Sequence, residues 1–372
     1  MSDSRTRTTF DVVLIAVTLY LFMVGIGAMS VAFKSMGEGF SQSLFEGDSK
    51  PFVALFIGIL ATTLAQSSST TTSIVVGAVA AGVLPFDSAV YMVMGANVGT
   101  TVTNTIVSLG HITRSNEYQR AFAAATVHDV FNLLVLIVLF PLQWATGGLT
   151  WLSHGATEVF SEVGGTVLSD PIKLLTASGI DALRSIVSAV GGGPIVLLVS
   201  ALAITFAMLI LMVKTLKRLM LARLENLFDR IIFRTPIRGL LFGVILTILV
   251  QSSSITTSIA IPLVGAGVLT IAQVFPYTMG ANIGTTITSL LAGLAALAAG
   301  AGDATAMLGV QLAFAHFFFN IFGVAIFWKL RGIPIAIANA FSSLALRNRL
   351  IPIVYIVVTF YIVPAVVIWI GG

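Results

Sequence analysis

Residues 51–104 and 236–289 are two copies of one sequence. They align at a constant offset of 185 residues without a gap, and 26 of the 54 pairs are identical. Apolar stretches can match by chance, but these polar ones do not. ThrLeuAlaGlnSerSerSerThrThrThrSer (63–73) faces IleLeuValGlnSerSerSerIleThrThrSer (248–258), and MetGlyAlaAsnValGlyThrThrValThr (94–103) faces MetGlyAlaAsnIleGlyThrThrIleThr (279–288). Farther on, where the offset has grown to 188, His128 and Asn132 face His316 and Asn320. Any fold for this chain must seat the same polar kinks twice, in equivalent surroundings.

Those surroundings are apolar. Lys and Arg number 19 and Asp and Glu 15 in 372 residues, so 9% of the chain is charged, against about 25% in a soluble domain. A surface so poor in charge belongs in a bilayer, and the chain reads as an all-α polytopic membrane protein. There is no cysteine, which excludes disulfide scaffolds, thiolate metal sites and cysteine nucleophiles. The opening MSDSRTRTTF is too short and polar for a cleaved signal peptide.

Charge-free stretches of about 20 residues set the spans. In the first repeat, residues 1–145, spans are expected over 12–33, 86–110 and 121–144, with a re-entrant helical hairpin over 51–84. An outer loop, 146–191, carries an interfacial helix at 171–190 with Ile180, Leu183, Val187 and Val190 on one face. The second repeat, residues 192–329, has spans over 195–213, 270–295 and 304–328 and a hairpin over 236–269; an inner linker and an extra C-terminal span fill 330–372. Backbone can leave helical geometry at membrane depth only where protein or a polar cavity shields it. Each polar tract is therefore read as a hairpin with a QSSS tip followed by a broken helix.

With the N-terminus inside, segments 1–11, 111–120, 214–238 and 329–349 are cytoplasmic and hold 15 of the 19 Lys and Arg residues, as the positive-inside rule expects. The C-terminus then lies outside. Each half crosses three times, an odd number, so the second copy is inverted relative to the first. Paired broken elements in inverted repeats are the plan of secondary transporters, with cargo near the midplane. The basic run Lys214–Arg238 is interleaved with apolar residues at helical spacing and reads as an inner-face segment, not a nucleic-acid site.

Two sets of polar residues carry the chemistry. Gln66, Ser67, Ser68 and Ser69, with Gln251, Ser252, Ser253 and Ser254, exceed what helix packing needs. At a hairpin tip they add hydroxyl and amide donors to the N–H groups of a helix N-terminus, a ready site for a small oxyanion. Thr71, Thr72, Asn97, Thr100, Thr101, Thr256, Thr257, Asn282, Thr285 and Thr286 offer hard oxygens beside glycines that permit unwinding, as in the sodium sites of broken helices. No Lys or Arg falls in any span, so an anionic cargo has to be neutralised by dipoles, hydroxyls and co-bound cations. Asp129 is the one carboxylate well inside a span. It is expected to complete a sodium site; a pairing with His128 or a proton role is the alternative. His128, Asn132, His316 and Asn320 sit at i, i+4 on one helix face and either brace the broken helices or act as ligands. Two histidines fall short of a zinc site.

The duplicated QSSS motif, the GANxGTT segments and ArgAlaPheAlaAlaAlaThrValHisAspValPheAsn (120–132) resemble the type II sodium-dependent phosphate cotransporter family over most of 11–145 and 192–329. The resemblance implies coupled uptake of inorganic phosphate with sodium ions, no enzymatic activity, and QSSS residues lining the substrate and ion site. It also implies that Asp129 matches an acid of the electrogenic members. The large cysteine-bearing outer loop and long cytoplasmic tails of the animal members are missing here, a shortness that suggests a bacterial cytoplasmic membrane. Expected partners are phosphate, sodium, the bilayer and, at most, a second copy in a homodimer. Phosphate efflux or sodium-coupled transport of another small anion keeps the fold and changes the cargo. An intramembrane serine hydrolase is the remote alternative, disfavoured because neighbouring residues His128 and Asp129 diverge on a helix and no Gly-x-Ser-x-Gly elbow surrounds the serines.

Overall fold

With no water to take up backbone N–H and C=O groups, so apolar a chain satisfies them within each segment, and the described residues are helical with no strand. The computed structural model describes residues 2–36, 50–164, 169–224, 232–300 and 304–371. In chain order the helices are α1 (Ser2–Met36), α2 (Pro51–Ala65), α3 (Ser68–Ala80), α4 (Phe86–Gly99), α5 (Val102–Leu109), α6 (Ser115–Thr146), α7 (Gly148–Glu162) and α8 (Ser169–Ala189). They continue with α9 (Pro194–Leu224), α10 (Pro236–Val250), α11 (Ser253–Gly265), α12 (Ile271–Ala299), α13 (Ala304–Lys329), α14 (Gly332–Arg347), α15 (Ile351–Val357) and α16 (Val363–Gly371). A π-helical turn, Val358–Ile362, joins the last two.

Among the described residues, six stretches are long and apolar enough to cross a membrane: Thr9–Met36, Ser115–Thr146, Pro194–Met212, Ile271–Ala299, Ala304–Lys329 and Ile351–Gly371. Large apolar side chains such as Val199, Ile245, Val354 and Trp369 point outward, as a lipid-facing wall requires. The chain is a multi-pass membrane protein. The seventh expected span, 86–110, is divided between α4 and α5.

The copies pack by the same rule. α2 runs along α4 and α10 runs along α12. Glycine makes both crossings so close that a Cβ on Gly58 or Gly95 would fall onto the Met92 or Leu55 carbonyl oxygen. In the second copy, Gly243 and Gly280 meet the carbonyls of Tyr277 and Leu240 in the same way. The second helices of the pairs are exchanged: α3 packs on α12 and α13, and α11 packs on α5 and α6. The first long helices of the copies, α1 and α9, lie against each other.

This packing corrects the expectation of a broken helix in the second copy. α12 passes through Gly280–Thr286 without a break. Its glycines admit α10 instead of unwinding, and the Thr285 and Thr286 hydroxyls donate back to the Ala281 and Ile283 carbonyls at 3.1 and 2.7 Å. In the first copy the interruption is confined to Thr100 and Thr101, both still near right-handed helical geometry.

Two segments expected as loop or linker are largely helical. The outer segment 146–191 contains α7 and α8, and α8 buries Ile180 and Val187 while Val190 is exposed. The linker after α13 forms α14, whose small buried residues Pro334, Ala338, Ser342 and Ala345 make a stripe toward the protein, where α14 packs on α6. Residues 225–231 of the basic inner run lie outside the described residues.

Contacts between segment ends sort them into two groups. Arg349 reaches Ser115, Gln119 reaches Ser343, and Arg120 reaches Gly265, which gathers 115–120, 265 and 343–349. Lys50 reaches the carbonyl of Gly371, so the start of α2 shares an end of the bundle with the C-terminal helix.

Candidate functional site

The two helix pairs turn at the glutamines. Gln66 and Gln251 adopt the left-handed conformation, with φ of 53° and 55°, and are the non-glycine residues with positive φ among those described. A side chain there costs about 1–2 kcal/mol, and each glutamine offsets the cost locally. Its Nε2 donates to a carbonyl of its own last turn, Thr63 at 2.6 Å and Ile248 at 2.5 Å. Its Oε1 accepts a hydroxyl from the next helix, Thr103 at 2.8 Å and Thr288 at 2.7 Å. Both carboxamides are thus used in shaping the turn.

Extended residues follow. Ser67 and Ser252 are N-caps, accepting the N–H of Thr70 at 3.2 Å and of Ile255 at 3.4 Å. Ser68 and Ser69, like Ser253 and Ser254, then occupy the first helical turn, where N–H groups have no intrahelical acceptor. The tips meet: the Ser69 hydroxyl donates to the Gln251 carbonyl at 3.3 Å, and Ser254 donates to the Thr100 carbonyl at 3.4 Å. The first-turn residues Ser68, Ser69, Ser253 and Ser254 are all buried. Positive ends of two short helix dipoles therefore converge on one buried region.

The histidine–asparagine set ties the copies together. The Asn104 Oδ1 accepts the hydroxyls of Thr257 and Ser258, each at 2.9 Å, so its Nδ2 donates to His128 Nδ1 at 3.1 Å. The imidazole proton accordingly sits on Nε2 and goes to Asn282 Oδ1 at 2.7 Å. At the equivalent place Ser289 meets His316 Nδ1 at 2.9 Å, and His316 Nε2 meets Asn97 Oδ1 at 3.2 Å. Asn282 donates to Asn132 Oδ1, Asn132 to the Asn97 carbonyl, Asn97 to Asn320 Oδ1, and Asn320 to the His316 carbonyl, at 2.6–3.0 Å. Both nitrogens of both rings are occupied, and the rings brace helices of opposite copies.

The threonines are donors to their own backbone. Thr71, Thr72, Thr100 and Thr101 give their protons to the carbonyls of Ser67, Ser69, Ala96 and Val98. A hydroxyl so committed presents lone pairs, which suits a cation. Thr256 Oγ1 is buried without a partner. Asp129 is 1% exposed; its Oδ2 accepts Thr105 Oγ1 at 3.1 Å, and its Oδ1 is buried with no hydrogen-bond partner. A buried carboxyl group with an orphan oxygen is costly unless a proton or a cation answers it.

Reading the sequence missed Asn104, Thr105, Ser258 and Ser289. Asn104 closes the first copy but faces a serine in the second, so a search for identities passes over it. Among the described residues no cluster of three or more His, Cys, Asp or Glu could hold a metal ion.

A family profile described as Na+/Pi-cotransporter matches residues 21–157 and 204–346. The rat sodium-dependent phosphate transport protein 2A is 33% identical over 423 residues, an alignment covering 94% of this chain and 66% of that protein. The cattle sodium-dependent phosphate transport protein 2B is 31% identical over 450 residues, covering 95% of this chain and 64% of that one. The chain thus spans just under two thirds of the length of these two relatives. No solved structure matches.

Proposed function

The chain belongs to the Na+/Pi-cotransporter family, and we propose that it is a sodium-coupled symporter of inorganic phosphate working by alternating access. The observation that carries this reading is the meeting of the two serine tips: the Ser69 hydroxyl lies 3.3 Å from the Gln251 carbonyl. Phosphate would be held by the free first-turn N–H groups and by Ser68, Ser69, Ser253 and Ser254, with Ser67 and Ser252 capping the helices and Gln66 and Gln251 shaping the tips. No lysine or arginine stands among these residues, so sodium ions supply the compensating charge. Asp129 with Thr101 and Thr105 forms one sodium site. Thr71, Thr72, Asn97 and Thr100, and their counterparts Thr256, Thr257, Asn282, Thr285 and Thr286, supply further oxygens. In the arrangement described here the Asn97 and Asn282 side-chain oxygens accept imidazole N–H groups, so their use as sodium ligands requires those bonds to loosen during the cycle.

The end bearing Arg114, Arg120 and Arg349 is the cytoplasmic one, and that bearing Lys50 and the C-terminal helix is the outer one. The α2–α3 pair then enters from outside and the α10–α11 pair from inside, which makes the repeats inverted, in the cytoplasmic membrane of a bacterium. The test is uptake of radiolabelled phosphate by proteoliposomes under imposed sodium, proton and voltage gradients. Uptake should follow the inward sodium gradient and be competed by arsenate, not by sulfate or dicarboxylates. Uptake indifferent to sodium would defeat the reading.

A further inference from the structure

The two copies repeat their polar contacts residue by residue, and they part at one node. Asn104 and Ser289 occupy equivalent places at the offset of 185. Each faces the Nδ1 of a histidine on the long helix that follows, and each reaches the second helix of the opposite pair. Their capacities differ. The carboxamide of Asn104 has a donor and an acceptor, so it serves His128 while accepting both Thr257 and Ser258 on α11. Ser289 has a single proton to share between His316 Nδ1 at 2.9 Å and Thr72 Oγ1 at 3.0 Å on α3. The consequence is visible one residue on. Ser258 is paired, whereas its counterpart Ser73 is buried with no hydrogen-bond partner.

We propose that Asn104 is a positioning residue for transport: it fastens the α11 tip, which carries Ser253 and Ser254, as a fixed wall of the site, while the serine at the equivalent place leaves the α3 tip as the moving one. α11 is further held where Arg120 Nε and Nη2 donate to the Gly265 carbonyl at 2.9 and 2.6 Å, capping its C-terminal end. The asymmetry gives the cycle a direction of movement: one helix pair opens and closes against another that keeps its place.

The inference deepens the transport reading, and its test has one arm that does not depend on it. α3 and α11 are both 13 residues long, so amide hydrogen exchange can compare them segment for segment in the reconstituted full chain. Protection factors over 253–265 should exceed those over 68–80 by about tenfold, since opening α11 breaks the Ser258–Asn104 bond, whose counterpart at Ser73 is missing. Asn104→Ser should lower protection over 253–265 by about fivefold and leave 68–80 within about twofold. Ser258→Ala should do the same more weakly, while Ser73→Ala, the equivalent substitution at an unpaired hydroxyl, should leave 68–80 unchanged. In uptake assays Asn104→Ser should raise the half-saturating phosphate concentration with little loss of maximal rate, which a general loss of structure would not do. Equal protection of the two segments in the parent protein, or equal responses to Ser258→Ala and Ser73→Ala, would overturn the proposal even if Asn104→Ser failed to fold. An intact protection pattern without any phosphate uptake would instead sink the transport reading alone.

Discussion

At the scale of single residues, Asp129 is a carboxyl group buried within the bilayer-spanning part of the chain. One of its oxygens has a hydroxyl donor and the other has none. Desolvating such a group costs several kcal/mol unless a cation or a proton answers it. Asp129→Asn should therefore do two opposite things. Thermal stability in detergent without sodium should rise, by about 1–3 kcal/mol, while the charge moved per phosphate, measured as current at matched flux, should fall. An unaltered current would remove Asp129 from the ion site. The serines separate in the same fashion. Ser68 and Ser253 hold nothing in the fold, so their alanine variants should keep stability within about 0.5 kcal/mol and weaken phosphate affinity by about fivefold each, one hydrogen bond's worth. Ser67→Ala and Ser252→Ala remove N-caps and should lower the melting temperature, at about 1 kcal/mol each.

At the scale of elements, the turn is legible in the sequence and the crossing is not. A glutamine followed by three serines announces a helix end and a new cap, and α2–α3 and α10–α11 turn there. The glycines of GlyAlaAsnXaaGlyThrThr suggest unwinding because the sequence displays their freedom and hides their neighbours. Gly95 and Gly280 meet the Leu55 and Leu240 carbonyls, contacts made by residues 40 positions away in each copy. Only a folded chain shows that the absent side chain makes room for backbone. Asn104 escaped for a related reason: its importance lies in what its serine counterpart cannot do. The crossings can be tested. Gly95→Ala and Gly280→Ala should each separate a helix pair and cost about 1–3 kcal/mol as overpacking. Gly155→Ala in α7, where a Cβ would meet nothing within 4 Å, should add about 0.5–1 kcal/mol through lower unfolded-state entropy. Equal melting temperatures for all three would argue that the crossings are loose in the membrane.

At the scale of the whole molecule, everything turns on whether the equivalent helices α2 and α10 start from opposite sides of the bilayer. Contacts alone order the ends: Lys50 with Gly371 at one, residues 115–120 with 343–349 at the other. They do not need a membrane to be true, but the mechanism needs them to become its two faces. An odd number of crossings per copy would do that, and it would turn two like tips toward each other, so that the α11 tip can serve as the wall against which the α3 tip closes. Because the chain has no cysteine, single thiols can report the sides without background. Lys50→Cys and Arg234→Cys lie just before α2 and α10 and are exposed in the fold. A membrane-impermeant maleimide should label the thiol at 50 in right-side-out vesicles and the thiol at 234 only in inside-out ones. Labelling of both from one side would make the repeats parallel, set both tips facing the same compartment, and leave no second gate for a cargo that has to be released on the far side.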